Sequence, residues 1–331
     1  MTVMTVLRRP DRTCRFVFVM DPFPSLNLAT ETSLLLMQEL LDRGHAPLWA
    51  EMHDVTLEDG VPRLRARPVL SVAPFSLGPV EPLGGDDIDA LLIRKDPPFD
   101  GNYLHLTQML DRLPPRVLQV NPARALREFN EKLLATRFAE FAPPSRVTMD
   151  AGRLLDFVRE HGTVVVKPLD DCSGRGIAVV EHVAAGLHAR VQALLRDAHG
   201  APRYVQAQPF LPAIAQGDKR VFLVDGEVAG IVNRVPAPGR WLGNIHQGAQ
   251  VEAAALSLRE AACIEALRPF LREHGLLLVG ADFIGGWLTE LNITSPSAVR
   301  QINAVSGARV ERTIVDALLR EVVARQVAAA A

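Results

Sequence analysis

Cysteine is scarce in this chain: Cys14, Cys172 and Cys263 are the only three among 331 residues. They are odd in number, lie far apart in sequence and form no CxxC pair. This pattern argues against a disulfide framework and against a cysteine-based zinc site. We therefore expect a protein of a reducing compartment, with the cytoplasm as the default location.

The chain also lacks a large excess of charge of one sign and any long apolar run. Its formal net charge is −2, so no overall basic field predicts a nucleic acid partner. Arg8-Arg9 matches the start of a twin-arginine signal, but only the short run 16–20 follows, which is better interpreted as a buried strand. No stretch approaches the length of a membrane span, so we expect no membrane partner.

The nucleotide-binding motif GxxxxGK[ST] is also absent. Residues 170–176 (DDCSGRG) contain two glycines, but they join two predicted strands and not a strand to a helix. Such a segment can form a flap whose backbone N–H groups fold over phosphates. Because most loops rich in Gly and Ser are only turns, this segment alone does not decide between a flap and a turn.

The remaining composition is that of an ordinary soluble enzyme. The chain is 48% hydrophobic and 22% charged, and it is long enough for two or three domains. In the first 120 residues, predicted strands alternate with helices, with the strands at 16–20, 46–50, 90–93 and 117–120. This alternation predicts a parallel sheet, whose ligands bind at the carboxyl ends of the strands. Asp21 and Arg94 follow two of these strand ends.

Residues 53–87 interrupt this alternation. They are rich in Pro, Gly and acidic residues and show only short β-like pieces without a strong period. After a predicted boundary at Asn121-Pro122, Asn130 is placed to cap a helix from Glu131 to about Glu140. Lys132 falls in the first turn of that helix, where a cation opposes the helix dipole by about 0.3–1 kcal/mol. This placement fits a lysine that meets an anion, but an ordinary solvated lysine is an equal alternative.

Further along, the pattern predicts a helix over about 184–198, a capping box at Ser257 and Glu260 that opens the next helix, and a C-terminal helix from about Ala308. Between the last two lies a predicted β-hairpin with Gly285-Gly286 at its turn.

The hairpin carries the clearest candidate for a metal site. Glu290 and Asn292 share one face of its second strand. If the loop has an odd length, such as three residues centred on Gly286, Asp282 lies opposite Glu290 on that same face. Two carboxylates and an amide carbonyl are hard oxygen ligands that suit Mg²⁺. A two-residue turn at Gly285-Gly286 would put Asp282 on the other face and leave a polar hairpin turned to solvent.

Six stretches together resemble the ATP-grasp superfamily, and closely the bacterial glutathione synthetases. They span nearly the whole chain in the order VMDPFPSLN (19–27), LIRKDPPFD (92–100), FNEKLLAT (129–136), VVKPLDDCSGRGI (165–177), AQPFLPAIAQGDKRVFLVDGE (207–227) and VGADFIGGWLTELNITSPS (279–297). The resemblance implies an α/β ATP-grasp fold with an N-terminal parallel-sheet α/β (pre-ATP-grasp) domain. The implied domains are an N-terminal substrate-binding domain (1–122), a linker helix with the ATP-grasp lid (123–206) and a C-terminal catalytic part (207–331).

The resemblance also implies an ATP- and Mg²⁺-dependent ligase, with Mn²⁺ as a possible replacement metal. Such an enzyme phosphorylates the carboxylate of γ-glutamylcysteine, and glycine then attacks the acyl phosphate to give glutathione. A homo-oligomer, either a tetramer or a dimer, is expected. Two alternatives are a ligase of the same architecture acting on a different carboxylate and amine, and a nucleotide-binding regulatory protein that has lost catalysis. The complete set of cations and metal ligands argues against the second alternative.

By resemblance, the site residues fall into four groups. The predicted metal ligands are Asp282, Glu290 and Asn292. The predicted catalytic cations, which stabilise charge on the phosphoryl group, are Arg220, Arg234 and Arg240. The predicted ATP-binding residues are Lys132, Lys167, Ser173, Gly174, Gly176, Gln208, Pro209, Phe210, Leu211 and Asp218, with the Leu211 N–H as the donor to adenine. The predicted substrate-binding residues are Asp21, Asn27, Arg94, Asn244, Ser295 and Pro296.

The chain departs from the family pattern in two loops, which we predict to be mobile without ligands and to close over ATP and the acyl phosphate. In 170–176, Asp171 and Ser173 stand where glycines are common, and Arg175 replaces a small residue. In 235–249, Leu242 takes the place of an arginine, and His246 and Gln247 are bulky where alanines are frequent. Because the second loop covers the acyl phosphate and its acceptor, these changes leave the identity of the carboxylate and amine open.

Overall fold

The computed structural model describes residues 12–170, 174–237, 239–240 and 249–330. Within these ranges, no helix is long and apolar enough to cross a membrane. Three sheets follow one another along the chain and meet around a common cavity.

The first sheet is parallel at its centre. The elements of this region are β1 (Arg15–Met20), α1 (Ser33–Asp42), β2 (Ala46–Glu51), β3 (Val55–Glu58), β4 (Val61–Val72), β5 (Phe75–Leu77), β6 (Glu81–Leu83), β7 (Ala90–Ile93), α2 (Gly101–Leu110) and β8 (Leu118–Val120). The strands run in the order β3-β4-β2-β1-β7-β8, with β5 and β6 paired to β4. β1 pairs in parallel with β2 and β7, and β7 with β8, as the alternation of strands and helices predicts. Because both faces of β1 and β7 are covered, these strands are almost continuously apolar.

The second sheet is antiparallel. Two short helices lead into it, and two longer ones cover it with their own apolar cluster. The elements are α3 (Ala123–Glu128), α4 (Glu131–Thr136), β9 (Arg146–Thr148), α5 (Ala151–His161), β10 (Thr163–Pro168), β11 (Ala178–Glu181), α6 (Leu187–Leu194) and β12 (Val205–Pro209). The strands run in the order β11-β10-β12-β9.

The third sheet is also antiparallel. The elements of this region are β13 (Asp218–Val224), β14 (Glu227–Val235), β15 (Gln250–Glu252), α7 (Leu258–Glu273), β16 (Leu278–Ile284), β17 (Trp287–Asn292), α8 (Val299–Ser306) and α9 (Val310–Ala330). The strands run in the order β15-β14-β13-β16-β17. Its buried residues join those of the first sheet in two shared clusters, one containing Val17 and Val279 and the other Phe18 and Phe222. The first and third sheets are therefore held together by a common core, whereas the second has a separate one. The division of the chain at 122 and 206 stays a prediction, and β12 extends three residues past the second boundary.

Several predicted elements are confirmed. Ser257 and Glu260 form the capping box of α7, and the Asn130 side chain accepts hydrogen bonds from the first turn of α4. Other predictions were wrong in extent. α4 ends at Thr136 and not near Glu140, α6 covers only Leu187–Leu194, and α3 and α8 were not predicted.

The largest error concerns residues 53–87, which contain the twelve-residue strand β4. Its buried positions Pro62, Leu64 and Ala66 do alternate with exposed ones. Because proline and alanine are weak markers of a strand's inner face, the alternation is hard to see in the sequence.

Candidate active site

A cavity of about 640 Å³ lies between the three sheets. Sixteen of the residues predicted from the sequence line it: Asp21, Asn27, Arg94, Lys167, Gly174, Gln208, Pro209, Phe210, Leu211, Asp218, Arg220, Arg234, Asp282, Glu290, Asn292 and Ser295. Residues that are up to about 275 positions apart in sequence thus share one site.

The hairpin of β16 and β17 brings the predicted metal ligands together, but by a different route from the one expected. Ile284 pairs with Trp287, so the turn at Gly285-Gly286 has two residues and not three. A β-bulge then leaves Thr289 unpaired, which returns Asp282 to a position opposite Glu290. The Thr289 hydroxyl donates to the Asp282 carbonyl (Oγ1···O 3.2 Å) at this bulge. Asp282 therefore lies opposite Glu290 as predicted, but the prediction that this requires a turn of odd length was wrong.

Asp282 is held by two arginines at the centre of the cavity. Arg220 donates from Nε and Nη2 to the two carboxylate oxygens, at 2.7 and 2.6 Å. Arg234 Nη2 lies 3.1 Å from Asp282 Oδ2, and Asn292 Nδ2 donates to the same oxygen at 3.2 Å. Burial by itself raises the pKa of Asp282, but the two guanidinium groups outweigh it and hold this pKa at about 2. The carboxylate is therefore charged at any ordinary pH.

The pKa of the nearby Asp218 is shifted in the opposite direction, upwards. The Asp218 carboxylate accepts a hydrogen bond from Arg234 (Nη2···Oδ2 2.6 Å). Its other oxygen, Oδ1, is buried and has no hydrogen-bond partner within the described part of the chain. Burial raises the pKa of Asp218; Arg234 opposes this change, and the neighbouring Asp282 adds to it. Arg234 thus faces two acidic groups, which keep its pKa above the ordinary value despite burial.

Lys132 and Lys167 approach this cluster from the other side. The Lys132 side chain is only 5% exposed, and its Nζ lies 3.3 Å from Glu290 Oε1. It is therefore not an ordinary solvated lysine, which was the alternative left open by the sequence. Burial lowers the pKa of Lys167, and the nearby Glu290 partly offsets this. An anion placed between these lysines would be attracted strongly, because electrostatic interactions are stronger where charges are poorly solvated.

The end of β12 forms an apolar wall of the cavity. Gln208, Pro209, Phe210 and Leu211 line it together with Val165, Ile177, Ile214 and Ile284. The Phe210 N–H is used within the protein, since it donates to the Thr163 carbonyl (2.9 Å). The assignment of the Leu211 N–H to adenine stays a prediction, and the apolar lining suits a flat aromatic base.

The opposite end of the cavity is built from loops that follow β1, β7 and β17. Arg94 is buried, donates from Nε to Ser33 Oγ (3.0 Å) and donates from Nη2 to the Pro296 carbonyl (3.0 Å). Burial lowers its pKa, and Glu31 partly opposes this. Asp21 pairs with Lys95 (Oδ1···Nζ 3.2 Å). This end therefore presents both cations and carboxylates.

Phe23 anchors the loop that carries Asp21 and Asn27. Its ring stacks on Phe75 of β5, with the ring centroids 4.0 Å apart, and meets the edge of Trp49. The poorly predicted region around β4 and β5 therefore supports one wall of the candidate substrate site.

Not all predicted residues reach the cavity surface. Lys132 contacts Glu290 but does not line the cavity, and neither does Gly176. Pro296 is also outside the lining, and its carbonyl accepts a hydrogen bond from Arg94. The side chain of Arg240 is exposed and outside the lining, so the structure does not bring this predicted catalytic residue into the site. It directly precedes residues 241–248. Ser173 and Asn244 lie outside the described residues.

Sequence reasoning missed two residues that hold the site together. Glu131 Oε1 accepts from Ile293 N, Thr294 N and Thr294 Oγ1, at 2.7, 2.9 and 2.8 Å. This carboxylate ties the start of α4, and hence Lys132, to the end of β17. From the sequence, Glu131 is predicted only as the first residue of a helix.

The second missed residue, Asn121, acts on the hairpin itself. Its buried amide donates to the Leu278 and Ile293 carbonyls, both at 2.7 Å, and accepts from Leu278 N. Because these bonds reach β16 and the end of β17, they fix the two strands relative to each other. In the sequence it marked only a probable domain boundary.

The oxygen donors on the hairpin suit a divalent metal. Among the described residues, no group of three His, Cys, Asp or Glu side chains forms a metal site. Asn292 lies beside Asp282, and its Nδ2 donates to Asp282 Oδ2 at 3.2 Å. The amide oxygen of Asn292 stays a predicted third ligand. Two carboxylates and an amide oxygen are hard ligands that leave further positions for water and phosphate oxygens.

Two family models match the chain. The N-terminal domain of prokaryotic glutathione synthetase matches residues 14–127, and the ATP-grasp domain of the same family matches residues 131–307. The glutathione synthetase of Pseudomonas syringae pv. tomato is 37% identical over 318 residues, which cover 94% of this chain and 99% of the relative. That of Photorhabdus laumondii is 39% identical over 293 residues, covering 86% and 92%.

Solved structures show the same fold at low sequence identity. The D-cycloserine synthetase DcsG aligns with a TM-score of 0.66 at 16% identity, over 93% of this chain and 99% of that one. The ATP-grasp ligase PsnB aligns with a TM-score of 0.63 at 18% identity, over 94% and 99%. The chain therefore belongs to the prokaryotic glutathione synthetase family and is an ATP-dependent ligase with the ATP-grasp fold.

Proposed function

We propose that this enzyme joins γ-glutamylcysteine and glycine to form glutathione, with ATP and Mg²⁺. The observation that supports this most strongly is the division of the cavity between the three sheets. One half is lined by Asp282, Glu290, Arg220 and Lys167, while the other is lined by Arg94 among carboxylates. A dipeptide with an amino-acid end and a reacting carboxylate end fits a cavity that has charged groups at both ends.

In the first step, an oxygen of the cysteinyl carboxylate attacks the γ-phosphorus of ATP, the bond to the β–γ bridging oxygen breaks, and ADP leaves. The transferring phosphoryl group carries charge on three oxygens, so positioning and charge neutralisation are the main tasks of the protein. We assign Arg220 and Arg234 to that phosphoryl group and Lys132 and Lys167 to the ATP phosphates. The network with Asp282 and Asp218 holds both arginines in fixed positions before substrates bind.

Asp282, Glu290 and Asn292 would hold Mg²⁺. The ion would neutralise charge on the phosphate oxygens and help to orient them. Glu131 ties the end of β17 to the start of α4, and Asn121 ties it to β16; these hydrogen bonds keep the proposed ligands in place.

In the second step, the neutral amine of glycine attacks the acyl carbon and the C–O bond to phosphate breaks. Inorganic phosphate leaves with the former carboxylate oxygen, and the amine loses a proton. Water has to be excluded, because it competes with glycine for the acyl phosphate. We propose that the loops at 170–176 and 235–249 close over the intermediate; residues 171–173, 238 and 241–248 lie outside the described residues.

A coupled assay of ADP release tests this assignment. The purified enzyme is given ATP, Mg²⁺ and pairs of carboxylates and amines, and the products are identified by mass. We expect ADP release to require γ-glutamylcysteine and glycine together and to yield glutathione. If another pair drives ADP release and this one does not, the enzyme is a ligase with different substrates, the alternative suggested by Leu242, His246 and Gln247. A homo-oligomeric state stays a prediction that light scattering can measure.

A further inference from the structure

The carboxylate of Glu131 uses only one of its two oxygens within the described part of the chain. Oε1 accepts the hydrogen bonds from Ile293 N, Thr294 N and Thr294 Oγ1, whereas Oε2 accepts none there. Glu131 is only 9% exposed, and yet it is among the residues that line the cavity. A largely buried carboxylate oxygen without a partner is unfavourable unless a ligand or water supplies a donor. Oε2 is therefore the part of this side chain that is available to a ligand.

Glu131 is attached where the two halves of the cavity meet. Its partner Thr294 follows Asn292, which lines the half with the proposed metal ligands. Thr294 also precedes Ser295, whose hydroxyl donates to the Arg94 carbonyl in the peptide half. In the proposed reaction, the acyl phosphate has its phosphoryl group in one half and its peptide in the other. Its acyl carbon, which the amine attacks, therefore lies near this boundary.

The other carboxylates that line the cavity are less suitable partners for an amine at this boundary. Asp282 and Asp218 accept hydrogen bonds from arginines, and Glu290 is a proposed metal ligand. The remaining three belong to the peptide half: Asp21, Glu31 and Asp96. Among the lining carboxylates of the described chain, Glu131 thus combines an unused oxygen with a position between the two halves.

The surroundings of Glu131 favour its protonated form. Burial raises the pKa of Glu131 and the charge of Glu290 on β17 adds to this, while Thr294 and Lys132 oppose it. On the side of α2, the carboxylate faces Tyr103, whose own pKa is raised mainly by burial. A carboxylate with a raised pKa holds a proton more strongly than an ordinary one, so it is a more effective base near neutral pH.

We propose that Glu131 is the catalytic base that takes a proton from the ammonium group of the attacking amino acid. The amine of free glycine is protonated near neutral pH, and it has to lose one proton before its lone pair can attack. Glu131 Oε2 accepts that proton. The N–C bond then forms, the C–O bond to phosphate breaks, and a second proton passes from the nitrogen to the released phosphate. Glu131 returns its proton to solvent when the products leave. This inference rests on the proposed function, since it takes an acyl phosphate and an amine as the reactants.

The Glu131→Gln variant separates the two roles of this side chain. Its amide oxygen can still accept the three hydrogen bonds from residues 293–294, whereas the NH₂ group that replaces Oε2 cannot accept a proton. Glu260→Gln is the matched control, because Glu260 is another buried glutamate in the first turn of a helix, α7. Glu260 pairs with Lys219 (Oε2···Nζ 2.6 Å) and does not line the cavity.

Hydroxylamine provides the sharpest comparison, because its amine is largely neutral near neutral pH and needs no base. It converts an acyl phosphate to a hydroxamate. ADP release is measured with ATP, Mg²⁺ and γ-glutamylcysteine, with either glycine or hydroxylamine as the acceptor. In Glu131→Gln, we expect turnover with glycine to fall about 10²- to 10³-fold and turnover with hydroxylamine to fall less than about threefold. Glu260→Gln should match the wild type with both acceptors. Equal losses with both acceptors in Glu131→Gln, or normal turnover with glycine, would overturn the proposal.

The pH dependence of kcat/KM for glycine distinguishes a base from a residue that only supports the fold. Without a base, only the neutral fraction of glycine reacts, so this value should rise about tenfold per pH unit in Glu131→Gln. In the wild type it should stay nearly level between the pKa values of Glu131 and of glycine. The same profile in both enzymes would contradict the role of Glu131. If the wild type makes no glutathione, the proposed function fails, and the carboxylate and amine that do drive ADP release replace this pair in the same comparison.

Discussion

The two halves of the cavity are built in different ways. In the half around Asp282, most side chains project from paired strands, and Asp282 itself lies between two arginines of neighbouring strands. In the half around Arg94, side chains come from loops. Arg94 donates to the Ser33 hydroxyl and the Pro296 carbonyl, and Asp21 pairs with Lys95. Strand pairing fixes positions closely, whereas loops can change in sequence without disturbing a core.

This difference suggests a division of labour. In the mechanism that we propose, the strand-built half supplies phosphoryl transfer, which needs charges at fixed positions. In the same proposal, the loop-built half selects the carboxylate that receives the phosphoryl group. If this is right, substitutions in the first half should lower kcat, and substitutions in the second should raise the KM of the peptide.

The largest effect is expected for Glu290→Gln in the strand-built half. The glutamine side chain has the size of glutamate but lacks its negative charge. That charge faces Lys132, and we propose that it binds the metal. We expect kcat to fall about 10³-fold, or about 4 kcal/mol, with little change in Tm because the side chain is 23% exposed. Steady-state kinetics at saturating substrates and thermal unfolding measure the two quantities. Glu58→Gln, an exposed carboxylate of β3, is the control, and an active Glu290→Gln enzyme would contradict the assignment.

Arg220→Lys should have the next largest effect. Lysine keeps the charge but cannot donate two parallel hydrogen bonds to Asp282 or to a phosphoryl group. We expect kcat to fall about 10²-fold, or about 2.7 kcal/mol, with the KM of the peptide nearly unchanged. Arg116→Lys alters a surface pair with Asp86 and should be neutral. A rise in the peptide KM with normal kcat would contradict this assignment and would mean that Arg220 acts in peptide binding.

The stability of the strand-built half should depend on pH within a defined acidic range. The pKa of Asp282 lies below its ordinary value of 3.8, at about 2, because Arg220 and Arg234 outweigh burial. A lowered pKa stabilises the folded state above the unfolded value, and this contribution is lost as the pH falls through the folded value. It is worth about 2 kcal/mol. Asp218, whose pKa is raised, has the opposite dependence.

Denaturant unfolding of the wild type and Asp282→Asn at several pH values measures this effect. The difference in the free energy of unfolding should be constant above about pH 4 and should shrink towards pH 2. A difference that does not change with pH would mean that the two arginines do not stabilise the charged form.

Arg94→Lys should have the smallest of these effects and should act on the other half. The shorter side chain cannot keep both the Ser33 and Pro296 contacts. We expect the KM of the peptide to rise about tenfold, or about 1.4 kcal/mol, while the KM of ATP stays the same. The KM of ATP is the internal control, and an equal rise in both would contradict the separation of the two halves.

The sequence predicted the strand-built half better than the loop-built one. The spacing of Glu290 and Asn292 was enough to place them on one face, because side chains alternate along any strand. The bulge at Thr289 was not predictable, since it involves a hydrogen bond to the backbone of the opposite strand. A two-residue turn with a bulge and a three-residue turn give the same pairing of Asp282 with Glu290.

Tertiary packing explains most of what the sequence did not reveal. Lys95 and the Asp96 N–H both contact the Asp21 carboxylate, which follows another strand end, and nothing in the local sequence pattern predicts this. Glu131 and Asn121 act on β17, which lies more than 150 residues away. The hydrogen bond from Arg175 to the Pro97 carbonyl likewise depends on how two separately packed regions approach each other.

The central claim is that the strand-built half transfers the γ-phosphoryl group to a carboxylate held by the loop-built half. The most direct test uses γ-glutamylcysteine labelled with oxygen-18 in its cysteinyl carboxylate, together with ATP, Mg²⁺ and glycine. Mass analysis of the released phosphate is the measurement. We predict one labelled oxygen in each phosphate formed with glutathione, because the acyl phosphate passes that oxygen to phosphorus. Unlabelled phosphate accompanying glutathione would contradict the account.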